Sequence, residues 1–185
     1  MRDVNKRHRA GWRCCEADSG SYQRGLLILF VGYNPSLRSS ETGHHYANPR
    51  NRFYTVLYQA GLTPRKYRAE EDACLYELGY GFTNIVARPT RAAEEITKRE
   101  YEEGRQTLRE KITRYKPKVV CFVGKGVYLQ YTGLKKAAWG VQSPSQVEGV
   151  IDFVAPSTSG LVRMKLADVV AIFTDLKELA YSIPK

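Results

Sequence analysis

The sequence predicts an α/β fold of three layers, α/β/α, in which a short, mainly parallel central sheet is covered by helices on both sides. Three observations carry that prediction. Residues 26–31 (L-L-I-L-F-V) and 119–123 (V-V-C-F-V) are apolar runs with no polar break, as expected of strands buried on both faces. Strand-like and helix-like stretches alternate along the chain, and that alternation builds parallel sheets through crossovers. The length of 185 residues suits one domain with a sizeable core, and no repeat, low-complexity segment or linker divides it.

Taken in order, residues 1–21 carry Arg2, Lys6, Arg7, Arg9 and Arg13 with little apolar pattern. They read as a mobile, solvated basic arm, with a phosphate-contacting arm as the sharper alternative. Residues 22–185 read as the single domain. The first strand, 26–31, runs into Gly32-Tyr33-Asn34-Pro35-Ser36. Gly32 permits unusual backbone angles and Pro35 fixes its own, so Asn34 is expected on a tight turn. That turn lies at the carboxyl end of a central strand, where open α/β sheets bind ligands. A long polar loop through Gly43-His44-His45-Tyr46 leads to a helix starting near Asn51. Phe53, Val56, Leu57 and Ala60 have helical spacing, and Gly61 stops the helix.

Residues 62–68 read as a loop and 70–78 as a short helix, broken by Gly79-Tyr80-Gly81. A short strand over 82–86 has Asn84 in its middle and enters the loop Arg88-Pro89-Thr90. Thr97-Lys98-Arg99-Glu100 is a capping box. The helix behind it puts Tyr101, Leu108, Ile112 and Tyr115 on one face and ends at Pro117. After the strand at 119–123, Gly124-Lys125-Gly126 turns the chain into a helix reaching about Tyr131. A polar stretch begins at Trp139-Gly140, residues 147–150 look like a hairpin turn, and 151–155 form the last strand. Residues 156–163 are a polar loop with one exposed apolar residue, Leu161; the final helix buries Leu166, Val169, Val170, Phe173, Leu176 and Ala180.

Hydrophobic content of 43% and charged content of 26% are ordinary for a globular protein. No apolar run approaches the length of a membrane span, and the basic start lacks a signal peptide's apolar segment. No membrane association is therefore expected. Cys14 and Cys15 are adjacent, which suits neither a zinc knuckle nor a thioredoxin motif; with Cys74 and a core-like Cys121 they indicate a reduced, cytosolic protein. Lys plus Arg is 29 against 19 for Asp plus Glu, a net charge of +10 that favours polyanionic partners.

Three motifs are more specific. G-Y-N-P-S at 32–36, continued by G-H-H-Y-A-N-P-R-N-R-F-Y at 43–54, resembles the first signature of the mismatch-specific uracil and thymine DNA glycosylases, within the uracil-DNA glycosylase superfamily. G-F-T-N-I-V at 81–86 and P-S-T-S-G-L-V-R at 156–163 resemble the other two, in the same order and spacing, so the resemblance covers roughly residues 26–180. It implies a uracil-DNA glycosylase-like fold and an enzyme that turns a base out of duplex DNA and hydrolyses its N-glycosidic bond, starting base excision repair. The implied partner is double-stranded DNA with G·U mismatches, with G·T as the open case. A monomer without metal or cofactor is expected, cytoplasmic and, in a prokaryote, nucleoid-associated.

The residues supply candidates for each chemical task. Cleavage passes through a sugar cation, and the uracil anion is a tolerable leaving group, so electrostatics and a placed water can suffice. Asn34 can hold that water on its carbonyl oxygen while its amide fixes the side chain. The resemblance implies the same role for it. As asparagine is no strong base, turnover should be slow. Tyr46 can stack on the everted base, and Asn84 has both a donor and an acceptor for the O4 and N3–H edge of a pyrimidine. Backbone N–H groups around Tyr33 and Tyr46 can receive the O2 oxygen. Leu161 can fill the hole left in the stack. Ser157 and Ser159 can donate to substrate or phosphate, and Arg163 can meet phosphate or the opposing guanine. Lys125 is taken as a surface or DNA-facing cation, because the remaining residues of a phosphate loop are missing around it. His44 and His45 are taken as structural or phosphate-facing, not as acids.

The chain departs from the family pattern at Ser36 (usually glycine), Tyr33 (commonly aliphatic) and Ala87 (often acidic in thymine-type members). Ser157 fits the serine-rich form of the third motif. These positions leave the range of excised bases open, with uracil opposite guanine the safest substrate. Two alternatives stay open: a non-catalytic reader of damaged or single-stranded DNA, and an iron–sulfur-type uracil glycosylase, whose cysteine spacing this chain does not match.

Overall fold

The computed structural model describes residues 25–183; the basic arm expected over 1–21 lies outside them, as do Cys14 and Cys15. The described chain runs β1 (Ile28–Gly32), α1 (Leu37–Thr42), α2 (Phe53–Gln59), α3 (Cys74–Glu77), β2 (Tyr80–Asn84), α4 (Lys98–Tyr115), β3 (Val119–Val123), α5 (Lys125–Thr132), β4 (Gly140–Gln142), β5 (Ile151–Ala155) and α6 (Leu166–Ser182). The sheet order is β2-β1-β3-β5-β4. All neighbours are parallel except β4, which pairs antiparallel with β5 at the edge. No helix among the described residues is long and apolar enough to cross a membrane.

Strand alternation sorts the core into two layers. Ile28 and Phe30 of β1 join Phe53 and Leu57 of α2, Leu75 of α3 and Phe173 and Leu176 of α6 on one face. Leu29 and Val31 join Leu108 and Ile112 of α4 and Val127, Tyr128 and Tyr131 of α5 on the other. Both faces of β1 and β3 are therefore fully buried, which is why these two strands read as unbroken apolar runs. The expected three-layer α/β/α architecture is the observed one.

Four local expectations are corrected. The polar loop after β1 contains α1, capped by Ser36, whose side chain accepts from the Ser39 N–H, and closed by Gly43 at a left-handed φ of 75°. This helix buries no residue, so it has no apolar period to betray it. The second strand starts at Tyr80 and ends at Asn84, two residues earlier than expected. Gly79-Tyr80-Gly81 reads as a breaker, yet Tyr80 is fully buried and a Cβ at Gly81 would lie 2.7 Å from a Leu26 methyl, so close packing selects the glycine. The stretch after Trp139 holds the edge strand β4, which has no fully buried residue. Residues 70–78 split into a 3-10 turn, Ala69–Glu71, and the four-residue α3.

Candidate active site

The carboxyl ends of β1 and β2, the loop to α1 and the loop after β5 enclose a cleft of about 540 Å³. Tyr33, Asn34, Tyr46, Asn84, Ser157, Ser159 and Leu161 all line it, although they come from three separated stretches of chain. Arg163 is exposed and Lys125 half-buried, and neither lines the cleft. Lys125 is the first residue of α5, and its Nζ lies 4.1 Å from the centre of the Trp139 ring. The cleft instead takes its positive charge from Arg50 and Arg91, which sequence patterning did not single out.

Asn34 is held by its amide. Nδ2 donates to the Arg88 carbonyl at 2.8 Å and to Thr90 Oγ1 at 2.8 Å. Thr90 Oγ1 in turn donates to the Ala92 carbonyl at 2.7 Å, so toward Asn34 it can only accept. A carbonyl and a committed hydroxyl together define which end of the carboxamide is nitrogen. Oδ1 is thereby left as the acceptor on the cleft-lining side chain. Thr90, in a loop with no periodic signal, is a site residue that sequence reasoning missed; Pro89 beside it was the available hint of a fixed turn.

Asn84 stands at the end of β2, in register with Gly32. A Cβ on Gly32 would lie 2.7 Å from Asn84 Oδ1. The Asn84 carboxamide thus occupies the space that a side chain at position 32 would take. The φ of Gly32 is not among the positive ones, which corrects the expectation of an unusual backbone angle there.

Tyr46 is one of two non-glycine residues with positive φ (54°) among those described. Its ring lies flat on Phe53, 3.8 Å between centroids and 11° between planes, with Phe82 edge-on at 6.3 Å. Phe53 is fully buried, so one face of Tyr46 is backed by the core. Burial raises the phenol pKa, so the ring is neutral. Tyr33 behaves differently: its ring packs edge-on to Tyr101 in the opposite core layer, and its hydroxyl lies against Gly126, where a Cβ would overlap it. Its burial, with Glu94 nearby, also raises its pKa.

His44 and His45 also line the cleft, and each is tied to the fold. Asp72, nearly buried, takes the His44 Nδ1 at 3.2 Å and the His45 backbone N–H at 2.9 Å. His45 stacks on Phe82 at 5.0 Å and its Nε2 is buried without a hydrogen-bond partner. Burial lowers its pKa to about 4, against the opposing pull of Asp72, so it is neutral near pH 7.

The loop after β5 is tied to the start of α2. Asn51 Oδ1 accepts from the Phe53 N–H at 2.9 Å and from Thr158 Oγ1 at 2.8 Å. The Arg52 guanidinium reaches the Val162 and Met164 carbonyls at 3.4 Å each. Ser157 Oγ accepts from the Ser159 N–H and Ser159 Oγ from the Leu161 N–H, which leaves both hydroxyl protons to donate outward. Leu161 at the tip is 88% exposed on the cleft's edge.

The arrangement offers an oriented acceptor, an amide edge, a backed aromatic face and a protruding apolar side chain around one polar cleft. A family model described as the uracil DNA glycosylase superfamily matches residues 19–177.

Proposed function

The chain belongs to the uracil DNA glycosylase superfamily, and from that premise we propose that it is a mismatch-directed, monofunctional uracil DNA glycosylase acting through a water held by Asn34. DNA glycosylase chemistry on a DNA substrate follows from the family; the base, the mismatch and the residue roles are our reading.

In this reading the deoxyuridine swings out of the duplex into the cleft, and Leu161 takes its place in the stack. The pyrimidine stacks on the open face of Tyr46, worth about 1–3 kcal/mol. Asn84 donates to O4 and accepts from N3–H. Backbone N–H groups near Tyr33 and Tyr46 receive O2, where charge gathers as the bond from N1 to C1′ breaks and its electron pair leaves with the base. Water on Asn34 Oδ1 then adds to the cationic C1′ and loses its proton to solvent. No lysine lines the cleft among the described residues, so no amine stands ready for a Schiff base and strand incision is not expected. Ala87 and Ser36 leave thymine as the weaker substrate.

The observation that carries this reading is the double anchoring of Asn34 Nδ2, because it gives a neutral carboxamide one defined acceptor. The test is Asn34→Ala on a duplex with one G·U pair. Wild type should release free uracil. The variant should bind the duplex and release it at least about a hundredfold more slowly. Undiminished release would remove Asn34 from the chemistry, and tight binding with no release by wild type would make the protein a reader of damaged DNA.

A further inference from the structure

The capping box at the start of α4 does more than end a helix. Glu100 Oε2 accepts from the Thr97 N–H at 2.9 Å while Thr97 Oγ1 accepts from the Glu100 N–H at 3.3 Å, the reciprocal pair of a capping box, and the Thr97 hydroxyl also donates to Oε2 at 2.9 Å. The same carboxylate also receives Arg88: Nε on Oε1, and an η nitrogen on Oε2 at 3.0 Å. That η nitrogen also donates to the Glu95 carbonyl at 2.9 Å. The pair is therefore bidentate, the geometry in which an arginine is most strictly oriented. Arg88 is the residue whose own carbonyl holds Asn34.

We infer that Glu100 is a positioning residue for the hydrolysis: through Arg88 it fixes the peptide that aims Asn34. This rests on the reading of Asn34 as the water-holding group. Two further features agree. Pro89 restricts the backbone of Arg88 before it, so a fixed guanidinium leaves the Arg88 carbonyl little freedom. Gly104, one turn along α4 from Glu100, lies so close to the Ile85 carbonyl that a Cβ would overlap it. The helix is thus seated directly on the end of β2. The Ile85 and Val86 N–H groups donate to the Gly32 and Tyr33 carbonyls at 2.9 and 2.8 Å, tying the same strip to the turn that carries Asn34.

The Arg88 and Glu100 side chains are 49% and 23% exposed. Pairs that exposed contribute little to global stability. If the pair is an orienting device, its loss should appear in the rate of base release and not in melting. Glu100→Gln isolates the effect, since glutamine still serves a capping box but cannot accept both arginine nitrogens and Thr97 as a carboxylate does.

The experiment is single-turnover release of 5-fluorouracil opposite guanine, a better leaving base that keeps slow variants measurable. Glu100→Gln should be roughly ten- to a hundredfold slower than wild type, with duplex affinity and melting temperature unchanged. On an Asn34→Ala background the same substitution should change the residual rate less than about twofold, because the group it aims is gone. Glu103→Gln, which breaks the Arg99 ion pair on the same helix, should excise at the wild-type rate. A wild-type rate for Glu100→Gln, or its full loss reproduced on the Asn34→Ala background, overturns the inference. Should Glu100→Gln lose its cooperative melting transition, Arg88→Lys keeps the cap and the charge while losing the bidentate contact, and a wild-type rate for it overturns the inference equally. If Asn34→Ala alone excises normally, it is the assignment of Asn34 that fails.

Discussion

Gly32→Ala isolates one atom of the proposed base-reading edge. The methyl group would be built 2.7 Å from Asn84 Oδ1 and 3.7 Å from the Tyr46 hydroxyl. Gly32 has no left-handed φ, so alanine imposes no backbone strain, and the ladder to β2 survives. The neighbour that must give way is the end of a side chain. To reach ordinary contact at 3.4 Å it must retreat about 0.7 Å. That displacement is too large for a hydrogen bond to the base edge to persist at good geometry. An unmade hydrogen bond in a desolvated cleft costs about 1–3 kcal/mol, or about a 5- to 150-fold loss in kcat/KM for uracil. Gly32→Ala should therefore melt within a few degrees of wild type and excise uracil far more slowly. The double variant Gly32→Ala/Asn84→Ala should be no slower than Asn84→Ala alone, because both remove the same contact. Uracil excision by Gly32→Ala within twofold of wild type would take Asn84 out of base recognition.

Three further outcomes are expected. Leu161→Ala should leave stability within about 0.5 kcal/mol, since the side chain is 88% exposed, while product is retained less well and excision from A·U pairs suffers more than from G·U; equal effects on both pairs would argue against a wedge. His45 has a folded pKa near 4, below its unfolded value of about 6.5, so its contribution is intact above the unfolded value and lost as pH falls toward the folded one. Urea denaturation should show stability dropping by about 2 kcal/mol between about pH 7.5 and 5, less steeply in His45→Gln; parallel profiles for the two proteins would contradict this. Tyr80→Phe removes a buried hydroxyl that donates to the Leu62 carbonyl at 2.7 Å and meets the Tyr181 hydroxyl at 3.1 Å, and should cost about 1–2 kcal/mol in a thermal melt without changing base release. A melt unchanged from wild type would show that water replaces the bond.

The three layers, and the turn that ends β1, were legible from local sequence patterns. The apolar runs at 26–31 and 119–123 mark β1 and β3, because burial on both faces leaves no room for a polar residue that would blur the signal. The ends of α4 were legible because a capping box and a proline act on the backbone within a few residues. Asn34 was placed at the end of a central strand by the apolar run 26–31 and the glycine and proline that follow it, although Gly32 has no positive φ. The surroundings of Asn34 come from distant parts of the chain. Arg88 and Thr90, which hold its amide, are 54 and 56 residues away, and nothing in A-R-P-T predicts that partnership. It arises because β2 lies beside β1 in the sheet and α4 sits on the end of β2. In the same way α1 and β4 left no trace in the apolar pattern: α1 buries no residue, and β4 has no fully buried residue and forms its ladder with β5. Local chemistry reads out over a few residues, whereas the aim of a carboxamide is set by contacts that exist only once the sheet has chosen its strand order.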